Sequence, residues 1–365
     1  MERNLDYSDI PDRPVKGRGS LSRRDGRFER LVHKAIDDGW ARPADPSPRT
    51  KVTQEFPKRI IARNSSPDVG FDASINPYRG CEHGCVYCYA RPTHAYHGLS
   101  PGLDFETRLF AKPNAAGLLR AELAARGYRC KPIMLGANTD AYQPLERERR
   151  ITRSVLELLH ETNHPALVIT KSNLVTRDVD LLAAMAKRRL VSVAISVTTL
   201  DHRLANRMEP RAARPSLRLK AVRTLSDAGV PVMVMVAPIV PALTDWEIER
   251  ILDAAAEHGA NAAGYVLLRL PLEIKDLVTE WLETHKPGMA KKVMNRMREM
   301  RDGNYYVSQF GTRMRGTGRH ADLVAERFRL ACKKHGLAFG AAARSDLDTS
   351  RFTPPARDTQ QMSLL

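Results

Sequence analysis

The chain has 365 residues, 42% of them hydrophobic, enough to bury a sizeable core in one large domain or two smaller ones. Lys and Arg number 58 against 42 Asp and Glu, a net charge of +16 that favours polyanionic partners, nucleic acid or a phosphorylated substrate, over neutral ones. No apolar run reaches the roughly 18 residues of a membrane span, the N-terminus has no apolar signal stretch, and five cysteines, an odd number, argue against a disulfide framework, so a cytoplasmic protein with no membrane partner is expected.

Residues 1–55 are rich in Arg, Asp, Pro and Ser, and only "FERLVHKAIDDGW" (28–40) has helical spacing. A mostly flexible basic arm with one short helix is expected there. Residues 56–286 alternate short apolar β-branched runs with longer amphipathic stretches. The expected strands are "DASINPY" (72–78), "PIMLGAN" (132–138), "ALVITKS" (166–172), "VSVAISV" (191–197), "VPVMVMVAPI" (230–239) and "GYVLLRL" (264–270). Helical patterns cover 114–127, 147–162, 176–189, 215–229, 244–259 and 273–285. The strands are apolar throughout, as when both faces of a parallel sheet are covered. Six βα units in a row make an α/β fold, either a doubly wound sheet or a partial barrel. In both, ligands gather at the carboxyl ends of the strands.

Residues 287–343 form a basic extension. Helical patterns at 288–303 and 318–336 flank "NYYVSQFGTRMRGTG" (304–318), and residues 286–335 carry 13 Lys or Arg against 4 Asp or Glu. Tyr305, Tyr306 and Phe310 stand among Arg313, Arg315 and Arg319, a composition that suits stacking on unpaired bases and contact with phosphates. A C-terminal cap with the aromatics turned inward fits the same residues. The polar, Pro-bearing tail, 344–365, reads as disordered except at its end.

Three of the five cysteines, Cys81, Cys85 and Cys88, fall in "RGCEHGCVYCYARP", just after the first expected strand. The spacing is C-x3-C-x2-C. Thiolates bind soft metals and iron–sulfur clusters. Three of them hold three irons of a [4Fe–4S] cubane and leave the fourth open, and open coordination positions are where metal chemistry occurs. Gly80 and Gly84 would let the backbone wrap a bulky cluster. A Cys3His zinc site using His83, His94 or His97 is the alternative. Cys130 and Cys332 are isolated and read as ordinary core or surface cysteines.

C-x3-C-x-aromatic-C after the first strand of a βα array closely resembles the radical S-adenosylmethionine (radical SAM) superfamily. The resemblance implies a (βα)6 partial TIM barrel, here with a basic, mainly helical C-terminal extension. It also implies a [4Fe–4S] cluster on Cys81, Cys85 and Cys88, S-adenosylmethionine (SAM) chelating the open iron through its amino and carboxylate groups, and an external electron donor. Tyr87, the aromatic before the third cysteine, is implied to pack on the adenine. At the second strand tip, "GANTDAY" (136–142), Asn138 and Thr139 offer oxygens and Asp140 a charge to the SAM ammonium, unless they only cap a turn. Lys171, after the third strand, could pair with the SAM carboxylate, and Ser196, in the fourth, could meet its ribose. Glu209 and Arg211, flanking Pro210, could close a network over the sulfonium or substrate, or form a salt-bridged loop.

Together, Lys171, Ser196 and "EPR" (209–211) resemble the spore photoproduct lyase branch, whose members repair a thymine lesion in spore DNA. "NPYRGCEHGCVYCYARP" (76–92) is similar to the signature of uncharacterised bacterial relatives of that lyase. The branch also has a cysteine near the second strand tip that returns a hydrogen atom to product; "GANTDAY" has none, which leaves Tyr142 or SAM itself for that role. The last residues, "QMSLL", resemble peptides bound by bacterial DNA sliding clamps, with Gln361, Leu364 and Leu365 as the anchors.

The expected function is a radical SAM enzyme acting on nucleic acid, DNA above all, in a repair-like reaction. Two alternatives stand beside it. One is the same chemistry on a protein or small molecule, with the extension used only for packing. The other is a non-enzymatic, zinc-stabilised nucleic-acid-binding protein.

Overall fold

The computed structural model describes residues 15–29, 48–343 and 346–356, together with two short strands, Ser8–Asp9 and Ile36–Asp37. The terminal peptide, with Gln361, Leu364 and Leu365, lies outside the described residues, as does most of the 28–40 segment. Within that segment Ile36–Asp37 is extended and pairs antiparallel with Ser8–Asp9, so the expected helix does not run through it.

Six strands lie parallel in one sheet: β1 (Ala73–Ile75), β2 (Ile133–Leu135), β3 (Ala166–Thr170), β4 (Val191–Ser196), β5 (Val232–Ile239) and β6 (Ala262–Leu267). They pair strictly in chain order. A doubly wound sheet reverses its order at a switch point; this sheet does not, so the partial barrel is the fold. An antiparallel strand, Ile61–Arg63, covers the outer edge of β1. Helices follow the strands in turn: α1 (Ala115–Leu123), α2 (Ile151–Glu161), α3 (Val179–Ala186), α4 (Pro215–Asp227), α5 (Ile248–Glu257) and α6 (Ile274–His285).

The sequence pattern explains the layers. Val191, Val193 and Ile195 on β4, and Val232, Val234 and Val236 on β5, are buried at alternate positions. On α2, Val155, Leu156 and Leu159 recur at helical spacing and are fully buried against that sheet.

β1 and β2 are shorter than expected. Beyond Ile75 the Asn76 carboxamide oxygen accepts the N–H groups of Asn138 (2.8 Å) and Thr139 (3.3 Å), and Pro77 has no N–H to give a ladder. The chain therefore leaves the sheet. Tyr78–Arg79 joins a separate three-stranded sheet with Arg108–Ala111 and Lys51–Gln54. Part of the N-terminal arm is thus a strand, and residues 18–22 are buried rather than loose.

The basic extension comprises α7 (Pro287–Glu299) and α8 (Gly318–Lys334). Phe328 of α8 packs its ring 4.8 Å from Tyr265 and 5.1 Å from Phe339, so this part caps the core. The intervening loop does more. Its Met314 carbonyl accepts the Leu267 N–H on β6 (2.9 Å), while Asp68, from the connection between the edge strand and β1, accepts the Gly311 N–H (2.7 Å) and pairs with Arg313. The loop therefore ties together the two edges of the open barrel. Among the described residues no helix is long and apolar enough to cross a membrane.

Candidate active site

Past Arg79 the chain curls through successive turns, with Gly84 N–H bonded to the Cys81 carbonyl (3.3 Å) and Cys88 N–H to that of Cys85 (3.1 Å). The thiols of Cys81 and Cys85 are buried, that of Cys88 is half-buried, and none forms a disulfide. Burial, together with the nearby Asp140 carboxylate and the other two thiols, pushes the Cys81 thiol well up. Burial and then Glu209 do the same for Cys85, with Cys88 adding to them. Three thiols thus lie within electrostatic reach of one another in a place where burial favours the thiol over the thiolate unless a cationic centre is bound.

Gly80 (φ +71°) and Gly84 (φ +67°) are also required by their protein neighbours. A Cβ at Gly80 would lie 2.6 Å from Leu109 Cδ2 and 2.8 Å from the Phe105 carbonyl; one at Gly84 would lie 2.6 Å from Glu106 Oε2. They let the loop press closely onto residues 105–109. Beneath the loop sits Arg91, fully buried. Its guanidinium donates to the carbonyls of Cys85 (2.8 Å), Gly84 (3.1 Å), Pro101 (3.1 Å) and Gly102 (2.8 Å) and pairs with buried Glu106. Glu106 also accepts the N–H groups of Gly19 (3.0 Å) and Ser20 (2.8 Å), which explains why the arm is held here. The task of Arg91 is not visible in the sequence, because nothing local marks Glu106 as its partner.

The strand tips converge on the loop. Lys171, half-buried beyond β3, donates Nζ–H to the Ala237 carbonyl (3.3 Å) and stands 5.8 Å from the Tyr87 ring centroid. Burial lowers its pKa, and the Cys85 thiol opposes that shift. The Tyr87 hydroxyl donates to Glu209, which also accepts from Thr198 (2.9 Å) and pairs with buried Arg218. Arg218 in turn holds the carbonyls of Ala213 (2.7 Å) and Ser196 (3.1 Å). Arg211 pairs with Glu82 in the cysteine loop (3.1 Å), and its N–H bonds the His83 carbonyl (3.3 Å). Cys85, Tyr87, Lys171, Ser196, Glu209 and Arg211 are therefore one neighbourhood. Arg218 was not singled out as a member; its link to Glu209 is visible only in space.

The second tip is divided. Asp140 accepts from Thr170 (2.7 Å), the Lys171 N–H (2.8 Å), the Tyr142 N–H (2.9 Å) and His83 Nδ1 (3.2 Å). Burial alone would raise its carboxyl, but His83 and these donors hold it down at about 2. Thr139 spends its hydroxyl on the Tyr78 carbonyl (2.7 Å), as a turn cap does. The Asn138 carboxamide makes no hydrogen bond among the described residues. Tyr142 is not brought to the site. It is fully buried in the main core, and its hydroxyl donates to Asp178 (3.0 Å).

Three thiols on one loop are the donor set of a [4Fe–4S] cluster with one iron left open. Of the nearby histidines, His83 meets Asp140 through Nδ1, His94 bonds the Arg108 carbonyl through Nε2 (2.9 Å), and His97 lies against the Phe110 ring (5.3 Å). No three His, Cys, Asp or Glu side chains among the described residues converge on a single-ion position.

A family model described as the radical SAM superfamily matches residues 75–255. Uncharacterised proteins of Mycobacterium tuberculosis and Mycobacterium bovis are each 35% identical over 264 residues, covering 72% of this chain and 76% of theirs. Among solved structures, a spore photoproduct lyase complexed with dinucleoside spore photoproduct superposes with a TM-score of 0.55 at 16% identity, covering 78% of this chain and 80% of that one. A variant of that lyase with bound AdoMet and dinucleoside spore photoproduct gives a TM-score of 0.54 at 17% identity, with the same coverage. At such identity the likeness is one of fold.

Proposed function

The chain belongs to the radical SAM superfamily, and from that premise we propose that it acts on nucleic acid, DNA above all, in a repair-like reaction. It is a radical SAM enzyme, with a [4Fe–4S] cluster and SAM as its cofactors. When bound, these cofactors, fed by an external electron donor, supply a carbon radical able to take hydrogen from an unactivated C–H bond.

The chain's own residues bind and orient. Cys81, Cys85 and Cys88 hold the cluster. Tyr87 offers SAM a wall that cannot rotate freely, because Glu209 holds its hydroxyl and Arg218 holds Glu209. Lys171 brings a cation to the strand tips for the SAM carboxylate, and Asn138 an open amide oxygen for its ammonium. Asp140, saturated by four donors, fixes His83 and the Lys171 backbone rather than reaching for a ligand. Ser196 contributes through its carbonyl to Arg218, and Arg211 through Glu82 to the cysteine loop.

One observation carries the choice of nucleic acid: the loop that closes the barrel presents a row of rings, each with a cation on it. Arg269 lies 5.8 Å from the Tyr306 ring, Lys275 and Arg298 lie 5.7 and 5.8 Å from Tyr305, and Arg313 lies 4.6 Å from Phe310. Rings and cations in one surface serve stacked bases and phosphates together. Fluorescence anisotropy with a labelled single-stranded oligonucleotide tests this: affinity should fall steeply with salt, and no binding at low salt overturns it. A reducing, cytoplasmic setting suits the free thiols. The terminal "QMSLL" supports a sliding clamp as a further partner. Purified clamp should retain the wild type and release a Gln361→Ala, Leu364→Ala variant; equal retention ends that idea.

A further inference from the structure

We propose that Arg269, backed by Arg301 and set against the rings of Tyr89 and Tyr306, binds a phosphodiester group of the substrate at the barrel mouth. The choice of this anion over other oxyanions rests on the nucleic-acid reading above.

Tyr89 directly follows Cys88 and is 49% exposed, and its hydroxyl donates to the Ala137 carbonyl just beyond β2. Arg269, two residues beyond β6, lies 5.6 Å from that ring. Tyr89 therefore reaches across the mouth from the second strand tip to the sixth. On its other side Arg269 donates to the Tyr306 hydroxyl (3.1 Å). Its Nε is buried without an acceptor, and it pairs with no carboxylate among the described residues. Arg301, 2% exposed, is held by two backbone carbonyls, those of Thr312 (3.2 Å) and Leu268 (2.8 Å), and its Nε also lacks an acceptor. Burial and then Arg269 lower its pKa to about 10. The acid within electrostatic reach, Asp68, is already bound to Arg313 and the Gly311 N–H.

Buried charge is ordinarily paired. Here two guanidiniums lie together with no acid among the described residues bonded to either, and one of them, half-open to the mouth, lies against the ring of the residue that follows the third cysteine. A guanidinium fork matches the paired oxygens of a carboxylate or phosphate. The surrounding rings select an anion that carries flat aromatic groups, and a phosphodiester between two nucleosides is such an anion.

The test titrates two thymidine dinucleotides, one with the natural phosphodiester and one with an uncharged methylphosphonate link, into reconstituted full-length protein. Inorganic pyrophosphate, read by thermal shift, is a third probe. Wild type should bind the phosphodiester at least about ten-fold more tightly, or about 1.4 kcal/mol. Arg269→Gln should bring the ratio near one, Arg269→Lys should keep part of it, and Arg120→Gln, remote and paired with Glu161, should keep all of it. A ratio unchanged in Arg269→Gln overturns the site and leaves the nucleic-acid reading standing. If neither dinucleotide binds but pyrophosphate stabilises wild type and not Arg269→Gln, the anion site stands and that reading falls. If no probe binds, both fall.

Discussion

Replacing Glu209 by Gln takes one charge from a buried pair and strands the other. Glu209 and Arg218 are 2% and 1% exposed, so water cannot compensate. The amide keeps the shape and can still accept from Tyr87 or Thr198, but it cannot balance the guanidinium. Breaking such a pair from one side costs about 3–5 kcal/mol, and the two carbonyls that Arg218 retains favour the lower end. At roughly 2 °C per kcal/mol for a chain of this size, the melting temperature should fall by about 6 °C. Circular dichroism melts of Glu209→Gln, Arg218→Met and the double variant, run anaerobically on cluster-free protein, measure it. The double variant should lose less than the two singles together, with a coupling of about 2–3 kcal/mol. A Glu209→Gln melt within 1 °C of wild type, or strict additivity, would refute the reasoning. SAM binding supplies a second readout, since the side chain that accepts from Tyr87 is no longer fixed by Arg218.

Three further outcomes rest on the packing of the same chain. Burial holds His164, bonded to Tyr128 (2.7 Å), down at about 4 despite a bond to the Pro165 carbonyl, so it stays neutral in the folded chain while the unfolded chain takes up a proton below about 6.5. Its contribution is complete above that pH and drains away as pH falls from 6.5 to about 4, by on the order of 3 kcal/mol; in urea titrations the stability gap between wild type and His164→Gln should close over that window, and a constant gap contradicts it. Gly19→Ala would put a Cβ 1.7 Å from the Gly84 carbonyl oxygen, so the 18–22 segment must shift off the cysteine loop; iron retained after reconstitution should fall below about half, and full iron content contradicts the packing role. Tyr142→Phe removes only a core hydrogen bond to Asp178, costing about 1 kcal/mol while 5′-deoxyadenosine formation stays within about two-fold of wild type; a large loss would return Tyr142 to the chemistry.

The sequence made the βα register legible because β-branched runs and helical spacings are local signals, and each of the six strands overlaps one of those runs, the sixth starting two residues earlier than expected. The cysteine loop was legible for the same reason: three thiols in eight residues need no partner to be noticed. Partner choice was not legible. Tyr87 and Glu209 are 122 positions apart, and Arg313 finds Asp68 across 245. Nothing near Glu106 announces that it anchors both Arg91 and the arm, so residues 18–22 read as loose chain. Asn76 and Pro77 continue an apolar, alternating run, and only the second-tip N–H groups that Asn76 binds reveal why the strand ends early. Gly80 and Gly84 were seen as necessary, but their contacts with residues 105–109 were not, since a positive φ records a backbone shape and not what presses against it.

The central claim, that Cys81, Cys85 and Cys88 carry a cluster at which SAM is cleaved, is tested by anaerobic reconstitution with iron and sulfide followed by dithionite and SAM. Wild type should be brown, hold about four irons per chain, as a single [4Fe–4S] cluster requires, and release 5′-deoxyadenosine, and Cys85→Ala should release none. Protein that holds stoichiometric zinc and no iron, or a Cys85→Ala variant that forms 5′-deoxyadenosine as wild type does, would contradict it.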